Sequence, residues 1–159
     1  MRLEISRAAI AAIKAESALH TDREVCGLLL GCGMRIERVV PCRNVSPDPA
    51  IAFEIDPAAL IAAHRQAREG GLAVIGHYHS HPSGSSVPSR RDAQAAAGDG
   101  AIWAIAGHGV LSWWRAVPDG PIEGAFEPIN CDLLPEGCTT VAPPPEEQGP
   151  VATNESLLK

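Results

Sequence analysis

The segment that most narrows what this chain can fold into is Leu72-Ala-Val-Ile-Gly-His-Tyr-His79, an apolar run that passes into Ser80-His81-Pro82. Bounded by Gly70-Gly71 on one side and a proline on the other, it reads as a strand. Proline has no N–H for a ladder, so Pro82 places His79 and His81 at the strand's end. Side chains two apart on a strand share a face, and both imidazoles can therefore be presented to one point.

Next come SGSSVP and then Ser89-Arg90-Arg91-Asp92. Pro88-Ser89 opens a short helix through Ala97, and residues three apart at a helix start lie on one face, so a loop of moderate length can carry the Asp92 carboxylate back to the imidazoles. Two histidines and an aspartate make three protein ligands, the number a catalytic zinc takes when water fills the fourth position. Hydrolysis on such a metal also needs a base for the water's proton. Glu24 is the candidate, because it opens the apolar strand Val25–Leu30, where desolvation raises a carboxyl pKa.

The remaining text supplies a frame. Ser6 to Leu19 repeats its apolar residues at helical spacing. Met34 to Val40 pairs with Val25–Leu30 as a hairpin around Gly31, Cys32 and Gly33. Phe53-Glu54-Ile55 reads as a short strand, and Asp56-Pro57 caps and opens a helix that ends near Gly70-Gly71. Ala101–Ala106 and Val110–Val117 are two further strands. Helix, hairpin, helix, strand, helix and strands predict an α/β fold, a mixed sheet flanked by helices.

At 159 residues and 45% hydrophobic content, the chain suits one domain, expected over residues 1–134. Residues 135–159, rich in Pro, Glu, Thr and Gly, are expected to form a disordered tail. With 13 Lys+Arg against 19 Asp+Glu and no basic stripe, nucleic acid is not an expected partner. Neither a signal-peptide core nor a run of roughly 18 apolar residues is present, so no membrane association is expected and the protein reads as soluble and cytoplasmic. The five cysteines are odd in number and lack a C-x-x-C pair, which points to reduced thiols. Nothing in the pattern speaks to oligomeric state.

A strand of the form E-x-C-G-x-L-x-G (Glu24 to Gly31), then H-S-H-P (His79 to Pro82), six residues and S-x-x-D (Ser89 to Asp92) resembles the bacterial JAMM/MPN+ (JAB domain) zinc metallopeptidases. The resemblance covers about Met1 to Cys131. It implies a three-layer α/β/α core with a curved mixed sheet, of the architecture shared with cytidine deaminases. It also implies one Zn2+ per chain on His79, His81 and Asp92, with Glu24 as general base and Ser89 helping to stabilise the oxyanion. The implied substrate is a peptide or isopeptide bond at the C-terminal Gly-Gly of a ubiquitin-like or sulfur-carrier protein. Only AQAAAGDG separates Asp92 from the next strand, which implies a small recognition surface.

Other readings stand beside these. Ser89 also reads as a plain helix cap. His77 shares the strand face of His79 but lies roughly 13 Å along the chain from His81, which favours a supporting role. Glu54 alternates with apolar neighbours and reads as solvent-facing. Cys26 reads as a packing residue, as do Trp103, Trp113 and Trp114. Alternative functions are a non-catalytic MPN-type scaffold and a protein like RadC, linked with DNA repair.

Overall fold

Strand β2 (Cys26–Cys32) and strand β3 (Arg35–Cys42) form an antiparallel hairpin in the middle of the sheet, Leu28 opposite Val40 and Cys26 opposite Cys42. The computed structural model describes residues 1–146. The turn sits at Gly33, whose φ of 58° suits glycine, so Gly31 and Cys32 belong to the strand and not to the turn. Gly31 serves a close approach instead: a Cβ there would stand 1.9 Å from the Arg35 carbonyl oxygen, at the point where the register shifts.

On the other edge of β2 lies β4 (Ala73–Ser80), antiparallel, with Cys26 opposite His79. Parallel to β4 runs β5 (Ile102–Gly107), followed by the antiparallel β6 (Val110–Gly120) and β7 (Gly124–Pro128). Beyond β3 lie β1 (Arg2–Ser6) and β8 (Asn130–Leu134), parallel to each other. The path is β7-β6-β5-β4-β2-β3-β1-β8, with β9 (Thr140–Val141) attached to β3. This is the mixed sheet the sequence predicts.

Strand alternation decides what each face holds. Leu29 and Tyr78 pack with Leu3, Ala9 and Ile13 under helix α1 (Arg7–Leu19). Leu28 and Leu30 point the other way, to Ala63 of helix α2 (Pro57–Arg68). Trp103, Ile105 and Phe126 form a third cluster, which Ala93 of helix α3 (Arg90–Ala95) and Phe53 join. Helices therefore cover both faces, in the expected α/β/α arrangement. The Tyr78 hydroxyl donates to Glu16 at 2.5 Å, fastening α1 to β4.

Several elements differ from the sequence reading. Phe53–Ile55 makes one isolated bridge, Asn44 to Ile55, and no strand. Helix α3 stops at Ala95, short of Ala97. Strands β7, β8 and β9 are short, and β1 alternates Leu3 and Ile5 over only five residues before running into α1.

The expectation of a disordered tail from residue 135 is corrected for residues 135–146. Thr139 is buried, its hydroxyl accepting from the Ser6 N–H at 2.9 Å and donating to the Ile36 carbonyl at 2.8 Å. Beyond β9, the Arg43 guanidinium donates to the Glu146 carbonyl at 2.8 Å. Polar text is retained here because the buried Thr139 hydroxyl is paired with β1 and β3. Residues 147–159, the rest of the expected tail, lie outside the described residues. Among the described residues no helix is long and apolar enough to cross a membrane.

Candidate metal centre

Strand β4 delivers His79 to the face covered by α2 and α3, and His81 follows one residue past its end. His81 N–H donates to the Ala106 carbonyl at 2.9 Å, which keeps the chain against β5 as it leaves the sheet. Asp92 arrives from α3. Ser89 caps that helix: its hydroxyl accepts from Asp92 N–H at 3.1 Å, while the Asp92 carboxylate accepts from Ser89 N–H at 2.7 Å. This reciprocal box holds Asp92 in one rotamer.

The three side chains converge. His79 Nε2 lies 3.1 Å from one oxygen of Asp92, His81 Nε2 lies 3.1 Å from the other, and the two nitrogens are 3.0 Å apart. Among the described residues this is the one group of three or more metal-ligating types gathered this way, with ligand atoms within 4.8 Å of one another and all three residues buried. His81 Nδ1 faces the Ser85 carbonyl at 2.8 Å. A carbonyl only accepts, so Nδ1 carries a hydrogen and Nε2 is the ring nitrogen that faces the centre, able to ligate a metal or to share a proton with Asp92.

That arrangement fits a metal. Zinc–ligand distances of about 2.0–2.1 Å in tetrahedral geometry put ligand atoms roughly 3.3 Å apart, close to the separations present here. Two lone-pair nitrogens at 3.0 Å repel each other unless a cation or a proton lies between them.

The electrostatics divide: Asp92 and His79 favour the protonation states a metal needs, while His81 favours a proton. Burial works against an ionised Asp92, but hydrogen bonds from His79 and His81 outweigh it and hold the carboxyl well below its usual range. Burial lowers the pKa of His79, favouring the neutral ring a metal needs. For His81, burial is outweighed by Asp92 and the Ser85 carbonyl, which raise it.

Glu24 precedes β2. Because Cys26 stands opposite His79 and Ser80 N–H donates to the Val25 carbonyl, the register places Glu24 beside His81. It is 5% exposed, and burial pushes its carboxyl up to about 7, with His81 opposing and Asp92 reinforcing the shift. A cavity of about 630 Å³ adjoins it, walled by Arg23, Arg43, Asn44, Pro49 and the Pro144–Glu146 segment.

The remaining candidates sort by contact. His77 stays out of the ligand cluster; it packs against Trp103 at 4.1 Å between ring centroids, and burial lowers its pKa to about 3. Glu54 is exposed. Trp103, Trp113, Trp114 and Cys26 are buried, and burial raises the Cys26 thiol far from the nucleophilic range. Two contributors escaped the sequence reading. Phe53 stacks on the His79 ring at 4.3 Å and 19°, and Asn44 bonds the Glu24 carbonyl at 2.9 Å.

Comparison with known proteins agrees with this geometry. Residues 6–116 match the family described as prokaryotic homologs of the JAB domain. A probable TtuB-protein conjugate cleaving protease of Thermus thermophilus is 42% identical over 84 residues, which are 51% of this chain and 57% of that protein. A desampylase of Haloferax volcanii is 32% identical over 111 residues, 63% of this chain and 80% of that one. The chain thus spans little more than half of the Thermus protein's length.

Among solved structures, a Desulfitobacterium hafniense protein superposes with a TM-score of 0.70 at 24% identity, over 84% of this chain and 94% of that one. A JAB1/MPN domain protein from Archaeoglobus fulgidus does so with 0.51 at 18% identity, over 82% and 98%. Those likenesses concern the fold. The family match along most of the α/β/α core makes this chain a member of the family of prokaryotic homologs of the JAB domain.

Proposed function

We propose that the chain is a zinc-dependent hydrolase that cleaves a peptide or isopeptide bond joining the C-terminal glycines of a ubiquitin-like or sulfur-carrier protein to another group. The observation that carries this reading is the convergence of His79, His81 and Asp92 beside a buried carboxyl, Glu24, raised to about 7. The relatives support the substrate class: one is named for cleaving protein conjugates and the other is a desampylase.

His79, His81 and Asp92 would hold one zinc ion per chain, which when bound polarises a carbonyl oxygen and acidifies water. Glu24, with a pKa near the working pH, takes the proton of the attacking water and returns it to the leaving nitrogen, so that a C–O bond forms as the C–N bond breaks. Among the described residues the Ser89 O–H meets no acceptor while its lone pair caps α3, and it is the donor we assign to the developing oxyanion. Ser85 fixes the His81 tautomer through its carbonyl. A narrow Gly-Gly tail suits a base enclosed this closely.

The test combines elemental analysis with cleavage of a ubiquitin-like protein fused through Gly-Gly to a reporter. One zinc per chain is expected after exhaustive dialysis, lost in the His79→Ala, His81→Ala variant. Glu24→Gln should keep its zinc and lose about 10²–10⁴-fold in kcat. Chelator-insensitive cleavage overturns the zinc mechanism, and no zinc after supplementation overturns the proposal in favour of a non-catalytic scaffold. Affinity for branched DNA at moderate salt would favour the RadC-like alternative.

A further inference from the structure

Glu24 lies outside the β-ladder, since β2 begins at Cys26. A base so placed needs its backbone held by something else. Both of its main-chain polar groups are held by one loop, residues 44–55. Glu24 N–H donates to the Pro49 carbonyl at 2.7 Å, and the Glu24 carbonyl accepts from Asn44 Nδ2 at 2.9 Å.

Asn44 spends its entire hydrogen-bonding capacity on this arrangement. Its Nδ2 also donates to the Ala52 carbonyl at 3.0 Å, and its Oδ1 accepts from the N–H groups of Ser46 and Glu54, both at 3.0 Å. Val45 N–H closes the loop onto the Glu54 carbonyl at 2.9 Å. A carboxylate at position 44 would lack the two donors, and a hydroxyl cannot span four partners. The same loop carries Phe53, whose ring lies on His79. One side chain thus sets the loop's shape and ties that shape to Glu24 and, through Phe53, to the metal-binding face.

We propose that Asn44 is the positioning residue for the general base: it holds the Glu24 backbone, and hence the carboxylate, in register with His81. This inference rests on the reading of Glu24 as the base.

The experiment is a double-mutant cycle on the zinc-loaded full chain with the Gly-Gly fusion substrate, read together with zinc content and amide hydrogen exchange. Asn44→Ala is expected to lower kcat by about 10²-fold, the loss typical of a reacting group displaced by an ångström. Zinc stays near one per chain, and Glu24 N–H exchanges at least about tenfold faster while Leu29 is unchanged. In the Glu24→Gln background the same substitution should change kcat by less than about twofold, because Asn44 acts through Glu24.

Asn44→Asp keeps the acceptor for Ser46 and Glu54 but turns a carboxylate oxygen toward the Glu24 and Ala52 carbonyls, so it should not recover kcat. A fall of equal size in both backgrounds, an unchanged kcat, or failure of both variants to fold overturns the proposal and leaves Asn44 a structural residue. Full activity of Glu24→Gln by itself would show that the base assignment had failed, and this inference with it.

Discussion

Glu24 joins folding and chemistry at a single carboxyl. Its pKa in the fold stands at about 7 against an ordinary 4.5, with burial as the leading cause. The folded state therefore binds more protons than the unfolded chain between those values, and the fold weakens as pH rises across that window and stays weakened above it. Glu24→Gln removes the charge and keeps the shape. We expect the variant to melt above the native protein at pH 8 when both are metal-free, and the two to melt together near pH 4.5. A difference of equal size at both pH values would contradict burial as the cause. The same property that weakens the fold gives Glu24 a carboxyl that can accept and release a proton near neutrality, as the proposed base must.

Among the elements, β4 carries the greatest demands, because it must present His79 while lying flat between β2 and β5. Gly76 makes that possible. A Cβ there would sit 2.0 Å from the Ile102 carbonyl oxygen and 2.7 Å from its carbon, both backbone atoms of β5 that cannot rotate away. Gly76→Ala should therefore push the two strands apart, destabilising by about 1–3 kcal/mol or more. Since His79 lies three residues along the same strand, zinc affinity should fall with stability, by more than about tenfold. Calorimetric melting and a competitive zinc titration check both, and a variant with native zinc affinity would show that β4 and its ligand are not mechanically coupled. Helix α3, only six residues long, places Asp92 through its cap and not through its length.

At the scale of the whole molecule, the chain closes by returning its C-terminal region to the first strand and helix. Thr139 joins Ser6 to Ile36, β9 lies on β3, and Pro144–Glu146 form one wall of the cavity beside Glu24. Ending the chain after Gly137 leaves the Ser6 N–H and the Ile36 carbonyl without Thr139, an expense of about 1–3 kcal/mol for each buried group. Against a chain ended after Glu146, the melting temperature should fall by about 5–10 °C. Equal melting temperatures would mean that the returning segment contributes nothing to the fold.

The amino-acid order was enough to single out His79, His81 and Asp92, which the structure brings together, and Glu24, which it sets beside His81. His79 and His81 sit two apart before Pro82, Ser89 and Asp92 sit three apart at a helix start, and Glu24 heads an apolar strand; alternation, capping and chain-breaking all act within about ten residues, so they are readable locally. The hairpin, the three helices and strands β4 to β6 were legible on the same terms. Asn44 and Phe53 were not, because a loop asparagine and a half-buried phenylalanine carry no period, and their partners Glu24 and His79 lie 20 and 26 residues away. Thr139 was hidden more deeply, with partners 103 and 133 residues off in a polar stretch that reads as tail. Which strand neighbours which, and which loop closes over Glu24, depends on how buried polar groups find partners across the whole chain. That is a condition on the folded molecule as a unit, and only the tertiary structure decided it.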